Sequence, residues 1–224
     1  MNILNIRGGT MNNIINELLN EKIVVIVRGV DHKKLIPLAE ALYKGGIKFL
    51  EVTFSADGSI TDQETAESIN KLSKHFSGKM HIGAGTVLTE NQVELTKSAG
   101  GEFIISPHTE IAVIKKAKEL GLISIPGAIT PSEIKQAHDA GADLVKLFPI
   151  VHLGADYVKA IKAPLSHIKL LAVGGINCDN MAKYLEAGVC GFGIGTNIID
   201  KKMLDMDDYE GITKLAERYV TVVK

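Results

Sequence analysis

Residues 123–149 read ISIPGAITPSEIKQAHDAGADLVKLFP, and this stretch predicts the repeating unit of the fold. Its first part, Ile123–Ile129, is almost wholly apolar, which is typical of a strand that is buried on both faces. Thr130, with a glutamate three residues on, has the spacing of a helix-capping box, and it predicts a helix over Pro131–Ala140. A glycine then ends the helix, and the apolar run Leu144–Pro149 predicts the next strand. The stretch is therefore one strand–helix–strand step.

The same alternation of apolar runs and amphipathic stretches extends over nearly the whole chain. The predicted strands are Ile23–Arg28, Phe49–Phe54, Met80–Val87, Phe103–Pro107, Ile123–Ile129, Leu144–Pro149, Leu170–Ile176 and Gly191–Thr196. The predicted helices that follow them are Leu35–Lys44, Asp62–Phe76, Glu90–Ala99, Ile111–Leu120, Pro131–Ala140, Ala155–Lys162, Cys178–Ala187 and Tyr209–Val222. Eight such units without a long polar linker predict an α/β fold of one domain, a (β/α)8 TIM barrel. An open doubly wound sheet is the alternative, but residues 28–31 lack the glycine-rich fingerprint that usually follows its first strand.

Composition limits the classes of function. The chain has 224 residues, 46% hydrophobic and 23% charged, so it is a globular protein and not a disordered one. Its net charge of −1 and its scattered basic residues do not favour a nucleic-acid binder, and no apolar run is long enough to cross a membrane. Two cysteines are too few for a disulfide scaffold, which favours a reducing, cytoplasmic location. We expect residues 1–10 to be an N-terminal extension and residues 11–224 to be the barrel.

Lys146 is a charged residue in the middle of an apolar predicted strand, between Val145 and Leu147. A buried amine is costly unless it is paired or neutral. Burial lowers the pKa of a lysine, and a neutral amine attacks carbonyl carbons to form Schiff bases. A structural lysine that is paired with a carboxylate fits the same pattern, so both interpretations are open.

Glu51 is a second charged residue in an apolar strand, and Thr53 lies on the same face because side chains alternate along a strand. In a barrel, an inward Glu51 and an inward Lys146 could meet near the carboxyl ends of the strands. A carboxylate beside a Schiff-base lysine can move protons during formation and breakdown of the imine. A structural Glu–Lys pair predicts the same proximity.

Three further features lie at predicted strand ends, where a TIM barrel has its active site. Gly174 and Gly175 end the seventh strand and Gly195 and Thr196 end the eighth, which predicts a phosphate site, although tight turns alone would also use these glycines. Arg28 ends the first strand and could hold a carboxylate or form a salt bridge at the barrel end. The seven histidines show no ligand spacing, so we predict no metal and no cofactor.

Taken together, the motifs resemble those of the KDPG/KHG aldolases, the 2-keto-3-deoxy-6-phosphogluconate and 4-hydroxy-2-oxoglutarate aldolase family. They are Glu51-Val-Thr-Phe, Gly83-Ala-Gly-Thr-Val, Ile105-Ser-Pro-His, Ile125-Pro-Gly, Val145-Lys146-Leu-Phe-Pro and Gly174-Gly175-Ile. They occur in order from about Ile23 to Thr196.

The resemblance implies a homotrimeric class I aldolase without a metal, which splits a 2-keto acid into pyruvate and an aldehyde. It implies that Lys146 forms the Schiff base and that Glu51 is the acid/base. Binding of the pyruvate part would fall to Arg28, Thr53, Thr86, Pro107 and Phe148. Binding of the distal phosphate would fall to Gly174, Gly175, Gly195 and Thr196.

Two departures from the family pattern concern the substrate. Some members carry an arginine after the E-V-T strand, whereas Ser55-Ala56-Asp57 stands here, and Arg28 is the candidate replacement. The common P-T-G-G segment reads Ala172-Val173-Gly174-Gly175, which is closer to the 6-phosphogalactonate aldolases. Two interpretations from other classes are an isomerase or epimerase on a phosphate-binding barrel, and a non-catalytic binder of a phosphorylated ligand.

Overall fold

The computed structural model describes residues 3–224, and it describes side chains from residue 11 onward. Within this part the chain forms nine strands: β1 Ile23–Val27, β2 Phe49–Thr53, β3 His81–Gly85, β4 Phe103–Ile105, β5 Ile123–Ile125, β6 Gly127–Ala128, β7 Val145–Leu147, β8 Leu170–Val173 and β9 Gly191–Ile194. The ten helices of the same part are α1 Ile3–Glu21, α2 His32–Lys44, α3 Asp62–His75, α4 Glu90–Ser98, α5 Ile111–Glu119, α6 Pro131–Asp139, α7 Gly154–Lys162, α8 Met181–Glu186, α9 Lys201–Asp205 and α10 Tyr209–Val223.

The strands form one parallel sheet that closes into a barrel. Their order is β5-β4-β3-β2-β1-β9-β8-β7-β6, and each pairing between neighbours is parallel. The two ends of this order, β5 and β6, are consecutive in the chain and are separated only by Pro126. β5 therefore pairs with β4, and β6 pairs with β7. The two ends of the strand order meet at Pro126, and this closes the barrel. The predicted (β/α)8 barrel is confirmed.

The predicted strand positions are confirmed, but their ends differ from the prediction. The continuous strand expected over Ile123–Ile129 is interrupted at Pro126, because proline has no N–H to donate to a ladder. Several predicted runs extend past the observed carboxyl ends. For example, Arg28 and Phe54 each lie one residue beyond β1 and β2, although the Phe54 N–H still donates to the Gly85 carbonyl oxygen of β3 at 2.8 Å.

The helix caps that the sequence predicts are present. The Thr130 side chain accepts a hydrogen bond from the Glu133 backbone N–H, and Thr89 does the same with Gln92. The start of α8 was wrong by three residues, because the Asn177 side chain accepts hydrogen bonds from the next backbone N–H groups and holds a turn there. The short helix α9 was not predicted.

The barrel interior is filled by apolar side chains and covered at its amino-terminal end by α1. Side chains that point inward from the strands include Val24, Phe49, Phe103, Ile125 and Leu171, and Ile14 and Leu18 of α1 pack against the same cluster. At that end His81 bonds both Glu102, at 2.7 Å, and Glu17 of α1, at 3.1 Å. The interior is therefore closed at one end, and a second apolar layer joins the barrel to the outer helices.

The backbone of α1 begins at Ile3 and includes most of the first ten residues. The side chains of residues 1–10 lie outside the described part, so the extension stays a prediction. From Ile3 to Lys224, none of the helices is long and apolar enough to cross a membrane.

Candidate active site

Two ionisable side chains lie inside the barrel, toward the carboxyl ends of the strands. Glu51, on β2, is 1% exposed and follows the inward Phe49 by two residues. Lys146, on β7, is 6% exposed and follows the inward Leu144 by two residues. Alternation along a strand therefore points both side chains into the interior.

The surroundings of Lys146 lower the pKa of its amine. Burial lowers the pKa of its amine, the Glu51 charge raises it, and the Arg28 charge lowers it, with a net decrease. The amine lies 4.6 Å above the centre of the Phe148 ring, a distance at which an ammonium group is attracted to the ring face. A lysine with a lowered pKa has a larger neutral fraction, and the neutral amine is the nucleophile in Schiff-base formation.

The surroundings of Glu51 favour a protonated carboxyl group. Burial raises its pKa to about 7, and the charges of Lys146 and Arg28 oppose this increase. Its Oε2 atom is fully buried and has no hydrogen-bond partner among the described residues. A carboxyl group with a pKa near neutrality can both accept and donate a proton at physiological pH.

Arg28 lies at the barrel mouth and is exposed. One of its guanidinium nitrogens is 3.4 Å from the Thr86 hydroxyl. None of the salt bridges among residues 11–224 includes Arg28. Among the described residues Arg28 therefore does not form the salt bridge that was the alternative prediction. Its guanidinium can bind the carboxylate of a ligand.

Thr86 and Thr53 lie at the ends of the neighbouring strands β3 and β2, and they differ in backbone conformation and in contacts. Thr86 has a φ of +53°, a left-handed conformation that is uncommon for residues other than glycine and that often marks a functional site. Thr53 is buried, and its hydroxyl donates to the Val27 carbonyl oxygen at 3.3 Å. Thr53 therefore ties β2 to β1.

Pro107 and Phe148 lie on opposite sides of the fifth strand, at the ends of β4 and β7. The Pro107 carbonyl packs so closely on Gly127 of β6 that a side chain there would clash with it. Phe148 is 37% exposed, and its ring covers the Lys146 amine. Both residues are placed to line the mouth.

One asparagine side chain joins the glycine-rich ends of β8 and β9, and a second holds the loop that follows β8. Gly174 and Gly175 have φ values of +95° and +76°, which glycine adopts without strain. Asn180 donates to the Gly175 carbonyl oxygen at 2.9 Å, and Asn197, next to Thr196, donates to the Ile176 carbonyl oxygen at 2.8 Å. The structure therefore brings together the four residues predicted for phosphate.

Two contacts in this site go beyond what the sequence predicts. Phe148 was expected as a wall of the pocket, whereas its ring face also lies over the Lys146 amine. Gly85, at the end of β3, leaves the space that the Glu51 side chain fills. The Gly85–Glu51 contact joins two strands, which spacing within one strand does not show, and the Phe148–Lys146 contact depends on the path of the chain just after β7.

Across residues 11–224, no group of three or more His, Cys, Asp and Glu side chains could hold a metal ion.

Comparison with known proteins decides the family. The family profile described as KDPG and KHG aldolase matches residues 14–215. This chain belongs to the KDPG/KHG aldolase family. It is therefore an aldolase, a carbon–carbon lyase, and the chemistry of a buried Lys146 and Glu51 fits that class.

Curated members of the KDPG/KHG aldolase family match nearly the whole chain. A 2-dehydro-3-deoxy-phosphogluconate aldolase of Haemophilus influenzae is 29% identical over 219 residues, which are 96% of this chain and 99% of that protein. A 2-dehydro-3-deoxy-6-phosphogalactonate aldolase of Escherichia coli is 32% identical and covers 79% of this chain and 83% of its own length.

A solved structure in the family bears directly on the chemistry. The KDPG aldolase of Legionella pneumophila, solved with pyruvate captured as a covalent carbinolamine intermediate, has a TM-score of 0.81 and 28% identity. It covers 91% of this chain, and the match covers 96% of that protein. A carbinolamine is the adduct of an amine and a carbonyl group.

Proposed function

We propose that the protein is a class I aldolase that cleaves 2-keto-3-deoxy-6-phosphogluconate to pyruvate and glyceraldehyde 3-phosphate. The observation that carries the proposal is the Lys146 amine, which is buried at the barrel mouth with a lowered pKa. The covalent carbinolamine of the Legionella pneumophila relative supports the same chemistry. Cleavage of 4-hydroxy-2-oxoglutarate to pyruvate and glyoxylate would use the same lysine.

Lys146 and Glu51 divide the steps between them. The neutral Lys146 amine attacks C2 of the keto acid, and loss of water from the carbinolamine gives an iminium ion. Glu51 supplies the proton that leaves with this water. The C3–C4 bond then breaks as the Glu51 carboxylate takes the proton of the C4 hydroxyl, the aldehyde departs, and the bonding electrons enter the iminium to give an enamine. Glu51 protonates the enamine carbon, and water releases pyruvate and the free amine.

The remaining residues bind the two ends of the substrate. Arg28 and Thr86 would bind the carboxylate of the pyruvate part, and the distance of 3.4 Å between the guanidinium and the hydroxyl supports a shared site. Thr53 supports the wall beside them, and Pro107 and Phe148 line the mouth. Gly174, Gly175, Gly195 and Thr196 would bind the distal phosphate through backbone N–H groups and a hydroxyl.

Borohydride trapping with pyruvate tests the lysine. Reduction of the imine should add one reduced pyruvyl group, and peptide mapping should place it on Lys146. The variant Lys146→Ala should fold and trap nothing, whereas Lys118→Ala serves as the matched control because Lys118 is ion-paired with Asp143 at 2.7 Å. Absence of an adduct in the folded wild-type protein would remove the class I assignment.

The galactonate epimer is the second candidate substrate. The Escherichia coli relative named for it is 32% identical, and Val173 stands where the P-T-G-G segment common in the family has its threonine. Val173 is buried at the end of β8 and offers no hydroxyl to the substrate. Cleavage of the two epimers should be compared as kcat/KM, and a larger value for the galactonate epimer would reverse the assignment.

We also propose a cytoplasmic homotrimer. The family resemblance supports the trimer, and the two cysteines, which are free, fit a reducing location. Equilibrium sedimentation tests the trimer.

Turnover of phosphorylated sugars without pyruvate chemistry would instead favour an isomerase or epimerase, and binding without turnover would favour a phospho-ligand binder.

A further inference from the structure

Gly85 lies at the end of β3, directly opposite Thr53 of β2 in the parallel register. A Cβ atom at Gly85 would overlap Oε1 and Cδ of Glu51 and would lie 2.6 Å from its Cγ. The three nearest atoms therefore all belong to one side chain. Gly85 does not have the positive φ that marks many glycines of this chain, so the need for glycine here is one of space.

The Glu51 carboxyl group has little else to hold it in place. Its Oε2 is buried and has no hydrogen-bond partner in the described part of the chain. Its position is therefore set by its own strand, by the surface that Gly85 leaves open, and by the charges of Lys146 and Arg28, with no directional hydrogen bond to Oε2. A carboxyl group held by packing moves when the packing changes, since no hydrogen bond resists the movement.

We infer that Gly85 is a positioning residue for the acid/base chemistry: it leaves the space in which the Glu51 carboxyl group lies, so that this group faces Lys146 inside the barrel. The inference rests on the proposed function of Glu51. It predicts that any side chain at position 85 displaces the carboxyl group and leaves the strands in place, because the overlapped atoms are the end of a flexible side chain.

The neighbouring Gly83 shows why Gly85 differs. A Cβ at Gly83 would overlap the ring and the backbone oxygen of Phe103, which belong to the apolar interior. Gly83 therefore makes room for core packing, whereas Gly85 makes room for a functional group.

The main test is a double-mutant cycle in activity between Gly85→Ala and Glu51→Asp. Each single variant moves the carboxyl group, so each should lower kcat by about tenfold or more, a fraction of what acid/base catalysis contributes. The double variant should be no slower than the slower single variant, because both changes act through the same group. Independent, multiplied losses, or a Gly85→Ala enzyme with wild-type kcat, would overturn the inference.

A second cycle uses stability and needs no substrate. Gly85→Ala should shift the melting temperature of the wild-type protein but not that of Glu51→Ala, in which the overlapped atoms are gone. An equal shift in both backgrounds would assign Gly85 to general core packing. This cycle remains decisive if Gly85→Ala alone folds poorly.

A third readout reports on the carboxyl group itself. Carbon-13 NMR titration of Glu51 should give a lower pKa in Gly85→Ala than in the wild type, because displacement from the buried site restores solvation. An unchanged pKa would contradict the inference. If the wild type shows the Gly85–Glu51 coupling but traps no pyruvate, the proposed function fails and the positional inference stands.

Discussion

Glu51 is buried without a hydrogen-bond partner for Oε2 among the described residues, and this arrangement costs free energy when the carboxyl group is charged. Burial raises its pKa in the folded protein to about 7, above the ordinary 4.5. Between these two values the folded protein binds more protons than the unfolded chain. The free energy of unfolding therefore decreases as the pH rises from about 4.5 to about 7.

Glu51→Gln should remove this cost. We expect the variant to be more stable than the wild type at pH 8, by on the order of 1–3 kcal/mol, with the difference vanishing near pH 4. The attraction between Glu51 and Lys146, which the variant loses, reduces the gain. Urea unfolding at both pH values measures this gain in the free energy of unfolding. The same variant should have a lower kcat. A gain that is equal at pH 4 and pH 8 would show that the charge is not its source.

Arg28 should determine affinity more than rate. Its guanidinium is exposed at the mouth beside Thr86, so it can form charge-assisted hydrogen bonds with a substrate carboxylate. Arg28→Ala should raise the Kd for pyruvate by about 10- to 100-fold, since such bonds contribute roughly 1.5–3 kcal/mol. Isothermal titration of the Lys146→Ala background, which cannot form the imine, isolates this binding. Unchanged affinity would move the carboxylate site elsewhere, for example to backbone amides.

At the scale of elements, α1 is joined to the barrel by an ion pair that depends on pH. Burial lowers the pKa of His81, and its hydrogen bonds with Glu102 and Glu17 raise it, with a net increase above the ordinary 6.5. A histidine whose folded pKa is raised contributes stability that is complete below the unfolded pKa and is lost as the pH rises through the folded pKa. The link between α1 and β3 is therefore strongest in mildly acidic solution.

Glu17→Gln isolates this link, because Glu17 reaches the barrel through the His81 Nε2 atom. The variant should lose about 0.5–1 kcal/mol of stability at pH 6 and almost nothing at pH 9. Glu40→Gln is the control, since the Glu40–His75 pair has similar geometry but its histidine is more exposed, 42% against 19% for His81. Denaturant unfolding at the two pH values gives both differences. A loss at pH 9 equal to that at pH 6 would exclude the charged histidine as the cause.

At the scale of the whole molecule, the sequence was sufficient to predict the barrel. Apolar runs between capped helices predicted the strands, and Lys146 and Glu51 stood out because they interrupt such runs. The sequence did not predict the side-chain contact between strands β2 and β3, or the contact made just after the end of β7. The space that Gly85 leaves for Glu51 depends on the register of β2 and β3, and the ring of Phe148 over Lys146 depends on the path of the chain after β7.

The element boundaries that the sequence missed have local physical causes. Pro126 divides the fifth predicted strand. Proline is itself apolar, so the apolar pattern of the sequence continues through it and does not show the division. The turn at Asn177 delays α8 through side-chain hydrogen bonds that compete with helix formation. In each case the hydrogen bonding of one residue determined where the element begins or ends, although the sequence pattern around that residue predicts otherwise.

The closure of the barrel by α1 sets the order in which products leave. With Ile14 and Leu18 packed across the far end, a molecule enters and exits on the same side. In the proposed mechanism the pyruvate part stays covalently bound to Lys146 below the mouth after the C3–C4 bond breaks, so the aldehyde should depart first. Pyruvate should then inhibit competitively against the keto acid and the aldehyde noncompetitively in steady-state assays. Competitive inhibition by both products would mean that they leave in random order.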